Sequence, residues 1–398
     1  MMKNKKFIDA YAGIGGFHSA ASDLGGDCLY AIEYLDSLRK IYQSTFDLDE
    51  SHLIKDFRKF AIENSGIKSD WFFAGFPCQP FSKAGSRKGF KDPRNGDHFT
   101  FITAFLKKNN IKNLILENVP NLLEHDNGFS INRIRKDLKL LGYKIVFLDI
   151  LSPCDFGIPL QRKRLFIVAS KERTTQLVPK QIDYRDIFSL NQDILNDNYK
   201  TDSVRNQLID KTFSLLKEYK DTPVVKPFWL DETRYDRQSG NYHCTISNIP
   251  PPKYINHIPS WKQRILDRNR SFIQVHGIPF ENIMPFFDFP LSHRKIEYNC
   301  MDFSYKKDGK VVQFRPSGIR ISDSWKLPTL VLSETQYPFI YNKKRNEFVR
   351  PSIELIMKYN GNALIYDKIS ESSTVKKALG NTVNSLVVKN LLESFYES

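Results

Sequence analysis

The chain has 398 residues, of which 41% are hydrophobic and 26% charged, so it can bury a substantial core and form two domains. A membrane-spanning helix needs about 20 consecutive apolar residues, and the sequence contains no such run. The basic opening MMKNKK is not followed by the apolar stretch and cleavage site of a secretory signal, so we expect a cytoplasmic protein.

The charge balance favours a polyanionic partner. The formal net charge is +14, and such an excess of Lys and Arg creates a positive field that attracts phosphate backbones regardless of sequence. Nucleic acid is therefore the leading predicted partner. On charge alone, the alternative that the lysines only maintain solubility has equal weight.

The five cysteines argue against a disulfide framework and against a zinc site. They are odd in number, widely scattered and without any Cys-x-x-Cys pair: Cys28, Cys78, Cys154, Cys244 and Cys300. A reducing compartment fits this distribution best.

Short apolar segments alternate with amphipathic ones through the first 170 residues or so. The segments KFIDAYA, CLYAIE, WFFAG, NLILENV, KIVFLDI and LFIVA predict strands, and segments such as RKIYQSTF and FITAFLKK predict helices between several of them. This alternation indicates βαβ units, and hence an α/β fold with a mostly parallel, doubly wound, Rossmann-like sheet.

The pattern changes after about residue 175. Long stretches rich in prolines and aromatics, such as NIPPPKYINHIP and GIPFENIMPFFDFP, lack clear periodicity. They predict a second, smaller domain of loops and short strands. From about residue 350 the pattern becomes helical again, because SLVVKNLLESF has apolar residues at helical spacing.

A glycine-rich loop follows the first predicted strand, in the segment FIDAYAGIGGF. Gly13, Gly15 and Gly16 precede a helix, so the backbone there can approach a ligand whose negative group faces the helix N-terminus. The alternative is a tight turn without a ligand. The spacing differs from Gly-x-Gly-x-x-Gly, which disfavours NAD.

Glu33, which ends the second strand, can accept hydrogen bonds from ribose hydroxyls, and Asp56 can contact an adenine amino group. Both also fit solvated surface positions.

Glu117 ends an apolar segment and is predicted at the carboxyl edge of the sheet. Burial there raises the pKa of its carboxyl and favours the protonated form, which can bind the polar edge of a base. A structural hydrogen bond, such as a helix cap, is the alternative interpretation.

Cys78 lies in the stiff segment GFPCQPFS, where prolines restrict the backbone on both sides. The basic residues Lys83 and Arg87 nearby favour the thiolate, which is the nucleophilic form. The alternative is a cysteine that serves only as a small buried apolar side chain.

Eight segments occur in the order found in one enzyme family. The chain resembles the DNA (cytosine-5)-methyltransferases of type II restriction–modification systems over roughly residues 5 to 170 and 315 to 395. The segments are FIDAYAGIGGF, AIEY, GFPCQPFSKAG, DPRNGDHFTFI, ENVPNLLEHDNG, GIPLQRKRLFIVA, VRPSIELIMKYNG and ALGNTVNSLVVKNLL. In the seventh segment, Arg350 and Glu354 match the arginine and glutamate of the family motif.

The resemblance implies a mechanism without a metal. Cys78 would add to carbon 6 of a cytosine, and carbon 5 would then take a methyl group from S-adenosyl-L-methionine. Glu117 would hold the N3 edge and the amino group of the ring, and Arg164, with Arg162 beside it, would support the base and a phosphate. The cytosine would be flipped out of duplex DNA. The loop predicted to close over the DNA includes Ser82, Lys83, Arg87 and Lys88; a solvated basic turn is the alternative.

The cofactor residues implied by the resemblance are Tyr11, Gly13, Ile14, Gly15, Gly16, Glu33, Tyr34, Asp56, Pro77 and Asn381. Three segments depart from the family pattern. Leu160 replaces a glutamine two residues before Arg162, the segment KDF around Asp56 replaces Gly-Asp-Ile, and RNGDHF has His98 in place of a leucine. We interpret His98 as a wall of the cofactor pocket rather than as a catalytic acid.

The resemblance also implies the domain organisation. Residues 1–175 form the catalytic and cofactor-binding domain, 176–345 form the target-recognition domain, and 346–398 return to the catalytic domain. Arg315 and Arg320 are candidates for contact with DNA. The partners implied are double-stranded DNA and, functionally, a cognate restriction endonuclease, and we expect a monomer.

Three alternatives remain at this stage. The nearest is the tRNA-modifying branch of the same family, although the tripeptide Cys-Phe-Thr associated with that branch is absent. The second is a catalytically silent DNA-binding regulator on the same scaffold. The third is a nicotinamide or flavin oxidoreductase, which the glycine spacing disfavours.

Overall fold

The structure is a computed structural model that forms two compact units. It describes residues 2–77, 98–181, 195–200, 203–219, 224, 226–229, 234–236, 241–243, 260–286, 288–328, 337–361, 378–379 and 382–397. The first unit comprises Met1–Phe188 and Ile353–Ser398, and the second comprises Ser189–Ser352. No helix within these described ranges has the length and apolar character needed to cross a membrane.

The unit boundaries lie later in the chain than the predicted domain boundaries at 176 and 345. The amide of Leu177 donates to the carbonyl of Val146 at 2.8 Å, and the Leu177 side chain is buried in the core of the first unit. At the other boundary, residues 347–351 form a strand in the sheet of the second unit. The hydrogen bond of Leu177 to Val146 and the pairing of residues 347–351 with residues 195–200 are long-range contacts, which local sequence patterns do not reveal.

The first unit alternates strands and helices as the sequence predicts. Its strands are β1 (Lys6–Ala10), β2 (Asp27–Ile32), β3 (Leu53–Ile54), β4 (Lys68–Ala74), β5 (Asn110–Asn118), β6 (Lys144–Leu151), β7 (Leu160–Gln161) and β8 (Arg164–Ser170). Its helices before the second unit are α1 (Gly16–Asp23), α2 (Asp36–Phe46), α3 (Phe57–Glu63), α4 (His98–Lys108) and α5 (Phe129–Leu140).

Seven of these strands form one sheet in the order β3-β2-β1-β4-β5-β8-β6. Strands β1 to β5 pair in parallel, and β8 runs antiparallel to both β5 and β6. Neighbouring residues of a strand point to opposite faces, so Phe72 and Phe73 of β4 belong to two different cores. Helices cover both faces, which confirms the predicted doubly wound α/β fold.

The second unit contains more regular structure than predicted. Its strands are β9 (Leu195–Lys200), β10 (Phe228–Trp229), β11 (Arg234–Asp236), β12 (Asn241–His243), β13 (Lys295–Asn299), β14 (Lys310–Arg315), β15 (Gly318–Asp323), β16 (Leu327–Pro328), β17 (Pro338–Asn342) and β18 (Glu347–Pro351). Its helices are α6 (Ser203–Lys217), α7 (Ser260–Val275) and α8 (Phe280–Ile283). A seven-stranded sheet has the order β10-β13-β15-β14-β17-β18-β9, so the prediction of loops and short strands was incomplete.

The chain then returns to the first unit with α9 (Ile353–Asn360) and α10 (Ser385–Glu397). Helix α10 packs beside α1 on one face of the sheet, where Val387, Val388 and Leu391 join Phe17 and Ala20 in a buried cluster. This packing confirms the helical character predicted for the C-terminal segment. It also brings the residues just before α10 next to the glycine loop.

Candidate active site

The predicted site residues of the first unit meet at one edge of its sheet. The carboxyl ends of the parallel strands β1 to β5 lie at this edge, and ligands of doubly wound folds bind there. Strand β8 is antiparallel, so its first residue, Arg164, lies at the same edge. The described residues at the edge include Tyr11, Gly13, Glu33, Asp56, Pro77, Glu117 and Arg164.

The three glycines of the loop after β1 have different structural roles. Gly15 has a φ of 84°, and a Cβ atom added there would lie 2.1 Å from Cε2 of Phe46. A Cβ added to Gly16 would lie 2.3 Å from the carbonyl oxygen of Val383. Gly13 also has a positive φ, of 59°, but an added Cβ would meet no atom of the described residues within 4 Å. Gly15 and Gly16 are therefore required by packing, whereas Gly13 borders open space.

Glu33 fixes this loop through its carboxylate. Its Oε2 accepts a hydrogen bond from the amide of Gly13 at 2.9 Å, and its Oε1 accepts one from the amide of Leu35 at 2.8 Å. The residue is only 8% exposed. Because each carboxylate oxygen has a second lone pair, Glu33 remains able to accept further hydrogen bonds. Tyr34 beside it is 61% exposed, and the Ile14 side chain is buried.

Tyr11 and His98 form one wall of the edge. The Tyr11 hydroxyl lies 3.0 Å from Nδ1 of His98, and the Tyr11 ring also contacts Phe57, with 5.1 Å between the ring centres. Asp56 lies nearby as the cap of α3, where its carboxylate accepts a hydrogen bond from the amide of Arg58 at 2.8 Å. The interpretation of His98 as a pocket wall and the adenine contact of Asp56 stay predictions.

Glu117 and Arg164 form an ion pair at the centre of the edge. The distance from Nε of Arg164 to Oε1 of Glu117 is 2.9 Å, and the two side chains are 20% and 12% exposed. Burial raises the pKa of the Glu117 carboxyl, and this effect outweighs the opposing charges of Arg164 and Arg162. A raised pKa favours the form that can donate a hydrogen bond, in the direction that the sequence predicted.

Asn118 connects this pair to the segment that leads to Cys78. Its Nδ2 donates to the carbonyl of Phe76 at 3.1 Å, and its Oδ1 accepts from the amide of Val119 at 2.9 Å. A Cβ added to Gly75 would lie 3.4 Å from Oε2 of Glu117, so Gly75, three residues before Cys78, lies directly beside the carboxyl group. Sequence reasoning assigned no role to Asn118; its position directly after Glu117 was the available signal.

The Arg162 side chain lacks the exposed position that its predicted role, support of the base and a phosphate, requires. Its side chain is turned into the protein: the residue is 3% exposed, and its Nη2 donates to the carbonyl of Thr382 at 2.7 Å. Its amide also donates to the hydroxyl of Ser152 at 3.0 Å. Arg162 therefore joins the segment before β8 to the segment before α10, and it acts on Glu117 through its charge.

Some predicted residues lie outside the described residues, and their roles stay predictions. They are Cys78, Ser82, Lys83, Arg87, Lys88 and Asn381. Arg315 and Arg320 belong to the second unit, where both lie close to the carboxylate of Glu297. Among the residues that the structure describes, no group of three His, Cys, Asp or Glu side chains is arranged to hold a metal ion.

A comparison with protein families gives the family directly. The model of the C-5 cytosine-specific DNA methylases matches residues 5–397. The chain belongs to this family. The match covers nearly the whole sequence and agrees with the predicted family and with the predicted class of enzyme, a DNA (cytosine-5)-methyltransferase.

Several type II methyltransferases are similar in sequence. The chain is 38% identical to M.HpaII of Haemophilus parainfluenzae over 170 residues, which are 42% of this chain and 46% of that protein. It is 32% identical to M.HaeII of Haemophilus aegyptius over 249 residues, or 62% and 74% of the two chains. It is also 32% identical to M.NgoBI of Neisseria gonorrhoeae over 288 residues, or 71% and 85%.

Solved structures share the fold at low sequence identity. The methyltransferase EhMeth of Entamoeba histolytica matches with a TM-score of 0.54 and 15% identity, over 99% of this chain and 98% of that one. The Dnmt2 methyltransferase of S. pombe matches with a TM-score of 0.51 and 17% identity, over 99% of both chains. These likenesses support the fold alone.

Proposed function

We propose that this enzyme transfers a methyl group from S-adenosyl-L-methionine to carbon 5 of a cytosine flipped out of duplex DNA. In this role it protects DNA from a cognate restriction endonuclease. The observation that carries the proposal is the buried carboxyl of Glu117, which contacts Nε of Arg164 through Oε1 and lies beside the segment leading to Cys78. Family membership supplies the rest of the support.

The residues at the sheet edge fit S-adenosyl-L-methionine, which supplies an electrophilic methyl group when bound. Gly13 borders space that a ligand can occupy, because an added Cβ would meet no atom there from the part of the chain that the structure describes. Glu33 has acceptor capacity left for ribose hydroxyls, and the rings of Tyr11 and His98 provide a wall for an aromatic base or a sulfonium.

The protein groups would act on the cytosine in a fixed sequence. The Cys78 thiolate forms a bond to carbon 6, and the electron pair of the C5–C6 double bond shifts through carbons 5 and 4 toward N3. Glu117 in its protonated form donates to N3, and Arg164 holds Glu117 in place, so the negative charge that develops on the ring is stabilised. Carbon 5 would then bond to the methyl carbon supplied by S-adenosyl-L-methionine as the methyl–sulfur bond breaks, and S-adenosyl-L-homocysteine would leave.

Two further events complete the turnover. A base removes the proton from carbon 5, the C5–C6 double bond forms again, and the C6–S bond breaks to return the Cys78 thiolate. Asn118 contributes by fixing the main chain of Phe76, two residues before the nucleophile. Such positioning matters because a reacting atom displaced by about 1 Å can cost a factor on the order of 100 in rate.

DNA is favoured over tRNA as the substrate by two features of the sequence. The region predicted to recognise the target, residues 176–345, is long, and the tripeptide Cys-Phe-Thr is absent. The net charge of +14 suits either polyanion and does not distinguish them.

The test measures transfer of tritiated methyl groups from S-adenosyl-L-methionine to duplex DNA and, separately, to tRNA. We expect label in the DNA with the wild-type protein and none with Cys78→Ala. Cys154→Ala is the matched control, because it removes a half-buried thiol of the same unit outside the proposed site. Label in tRNA alone would reject the DNA assignment, and unchanged transfer by Cys78→Ala would reject the proposed nucleophile.

A further inference from the structure

Two arginines and one glutamate lie together on three neighbouring strands of the second unit. Strand β15 lies between β13 and β14 in the sheet. Arg320 on β15 is directly beside Glu297 on β13, and Arg315 at the end of β14 pairs with Gly318. The side chains of Glu297, Arg315 and Arg320 are 22%, 28% and 35% exposed, so the cluster is only partly accessible to water.

One carboxylate oxygen serves both arginines. Arg320 donates from Nε at 2.9 Å and from Nη2 at 2.8 Å to Oε2 of Glu297, and Nη1 of Arg315 lies 3.7 Å from the same atom. Two hydrogen bonds fix the plane of the Arg320 guanidinium. Within the described part of the chain, Oε1 of Glu297 and Nη1 of Arg320 make no hydrogen bond.

The cluster has a surplus of positive charge. Two guanidinium groups face one carboxylate, which leaves a net charge of +1. Burial lowers the pKa of Arg315, the charge of Arg320 lowers it further, and Glu297 opposes both effects only in part. A partner that offers electronegative acceptors would therefore stabilise the cluster.

Resting on the proposed function, we propose that Glu297 is a positioning residue that presents Arg320 to a G·C base pair in the major groove. Guanine offers O6 and N7 as two acceptors, which the free donors of a fixed guanidinium can bind together. The cytosine of the pair offers an amino group, for which Oε1 of Glu297 is an acceptor. The cluster thus has donors and an acceptor that complement both bases of one pair.

A base edge fits the cluster better than a phosphate does. A carboxylate at hydrogen-bond distance from Arg320 repels a phosphate, so a residue that only binds the backbone would gain nothing from Glu297. Orientation, by contrast, is what recognition of a base requires. A contact that reads a base is worth about 1–3 kcal/mol of discrimination, which corresponds to a factor of roughly 5 to 150.

The experiment compares the methylation consensus of variants. Unmethylated plasmid DNA is treated with wild-type protein, Glu297→Gln or Asp308→Asn, and bisulfite sequencing gives the consensus for each. Asp308→Asn is the matched control, because it removes the carboxylate of an exposed ion pair with Lys343 in the same unit. We expect Glu297→Gln to relax selection at one G·C pair by about tenfold and to preserve the other positions.

Other outcomes overturn the inference. The inference is wrong if the consensus of Glu297→Gln is unchanged, or if selection relaxes at an A·T pair. It is also wrong if selection relaxes equally at every position, as a purely structural role would predict. If Glu297→Gln does not fold, Arg320→Lys decides, because it keeps the charge, loses the planar fork and should relax the same G·C pair. A wild-type protein that methylates no DNA would instead reject the proposed function, so the two failures are distinguishable.

Discussion

The Glu117 carboxyl shows how its surroundings set its chemistry. The residue ends a strand of buried apolar residues, and burial raises the pKa of its carboxyl even though Arg164 is 2.9 Å away. A raised pKa means that the folded protein binds this proton more tightly than the unfolded chain does. As pH rises through the raised pKa, the proton is lost, and with it the ability to donate to the ring.

We therefore predict that the single-turnover rate of methyl transfer falls on the alkaline side because Glu117 ionises. Glu117→Gln keeps a permanent donor of similar shape but removes the titration. We expect its rate to fall by a factor on the order of 100, and its pH profile to lose the descending limb. The measurement is the rate with saturating DNA and cofactor across pH. A descending limb that persists in Glu117→Gln would assign that ionisation to another group.

At the scale of elements, the glycine loop packs against side chains of α1 and α2. Phe46 fills the space at Gly15, and its ring stacks on His18, with 3.9 Å between the ring centres. His18 lies 2.7 Å from the hydroxyl of Tyr42, which also donates to the buried carboxyl of Asp9 at 3.2 Å. The loop is therefore packed against these side chains at Gly15, whereas an added Cβ at Gly13 would contact none of the residues that the structure describes.

This asymmetry predicts that Gly13→Ala weakens cofactor binding more than it weakens the fold. An alanine at positive φ costs about 1 kcal/mol of unfolding free energy, and a methyl group would occupy the open space. Gly142→Ala is the matched control, because Gly142 also has a positive φ and an added Cβ there would likewise meet no described atom within 4 Å. Chemical denaturation should give similar losses for both variants, whereas calorimetry should give an affinity for S-adenosyl-L-methionine about tenfold lower for Gly13→Ala alone. Equal affinities would place the cofactor elsewhere.

At the scale of the whole molecule, short-range patterns predicted the first unit better than the second. Six strands of the first unit are short apolar segments that could be recognised locally, whereas the two-residue strands β3 and β7 are not among the predicted segments. The sheet of the second unit pairs β9 with β18, whose residues lie about 150 positions apart in the chain. Helix α7 has the sequence SWKQRILDRNRSFIQV, in which many charged residues hide the apolar spacing.

The candidate site was predicted as a set of residues, but not as a set of contacts. Glu117 and the glycine loop could be predicted because a strand end and a glycine cluster are visible locally, whereas Arg164 was implied only by the resemblance of GIPLQRKRLFIVA to the family. The bond from Arg162 to the carbonyl of Thr382 joins residues 220 positions apart, and the bond from Asn118 to Phe76 joins residues 42 apart. Such contacts depend on how the sheet and α10 assemble, which no local pattern contains.

The proposed mechanism depends on a covalent bond between Cys78 and a flipped cytosine. Trapping that bond tests the mechanism most directly. A duplex oligonucleotide carries 5-fluorocytosine at the methylated position found by bisulfite sequencing, and it is incubated with the protein and S-adenosyl-L-methionine. Fluorine cannot leave carbon 5 as a proton does, so the adduct persists. We predict a crosslinked complex whose only modified peptide contains Cys78, and no complex with Cys78→Ser. Methylation of normal DNA without any crosslink at Cys78 would contradict the mechanism.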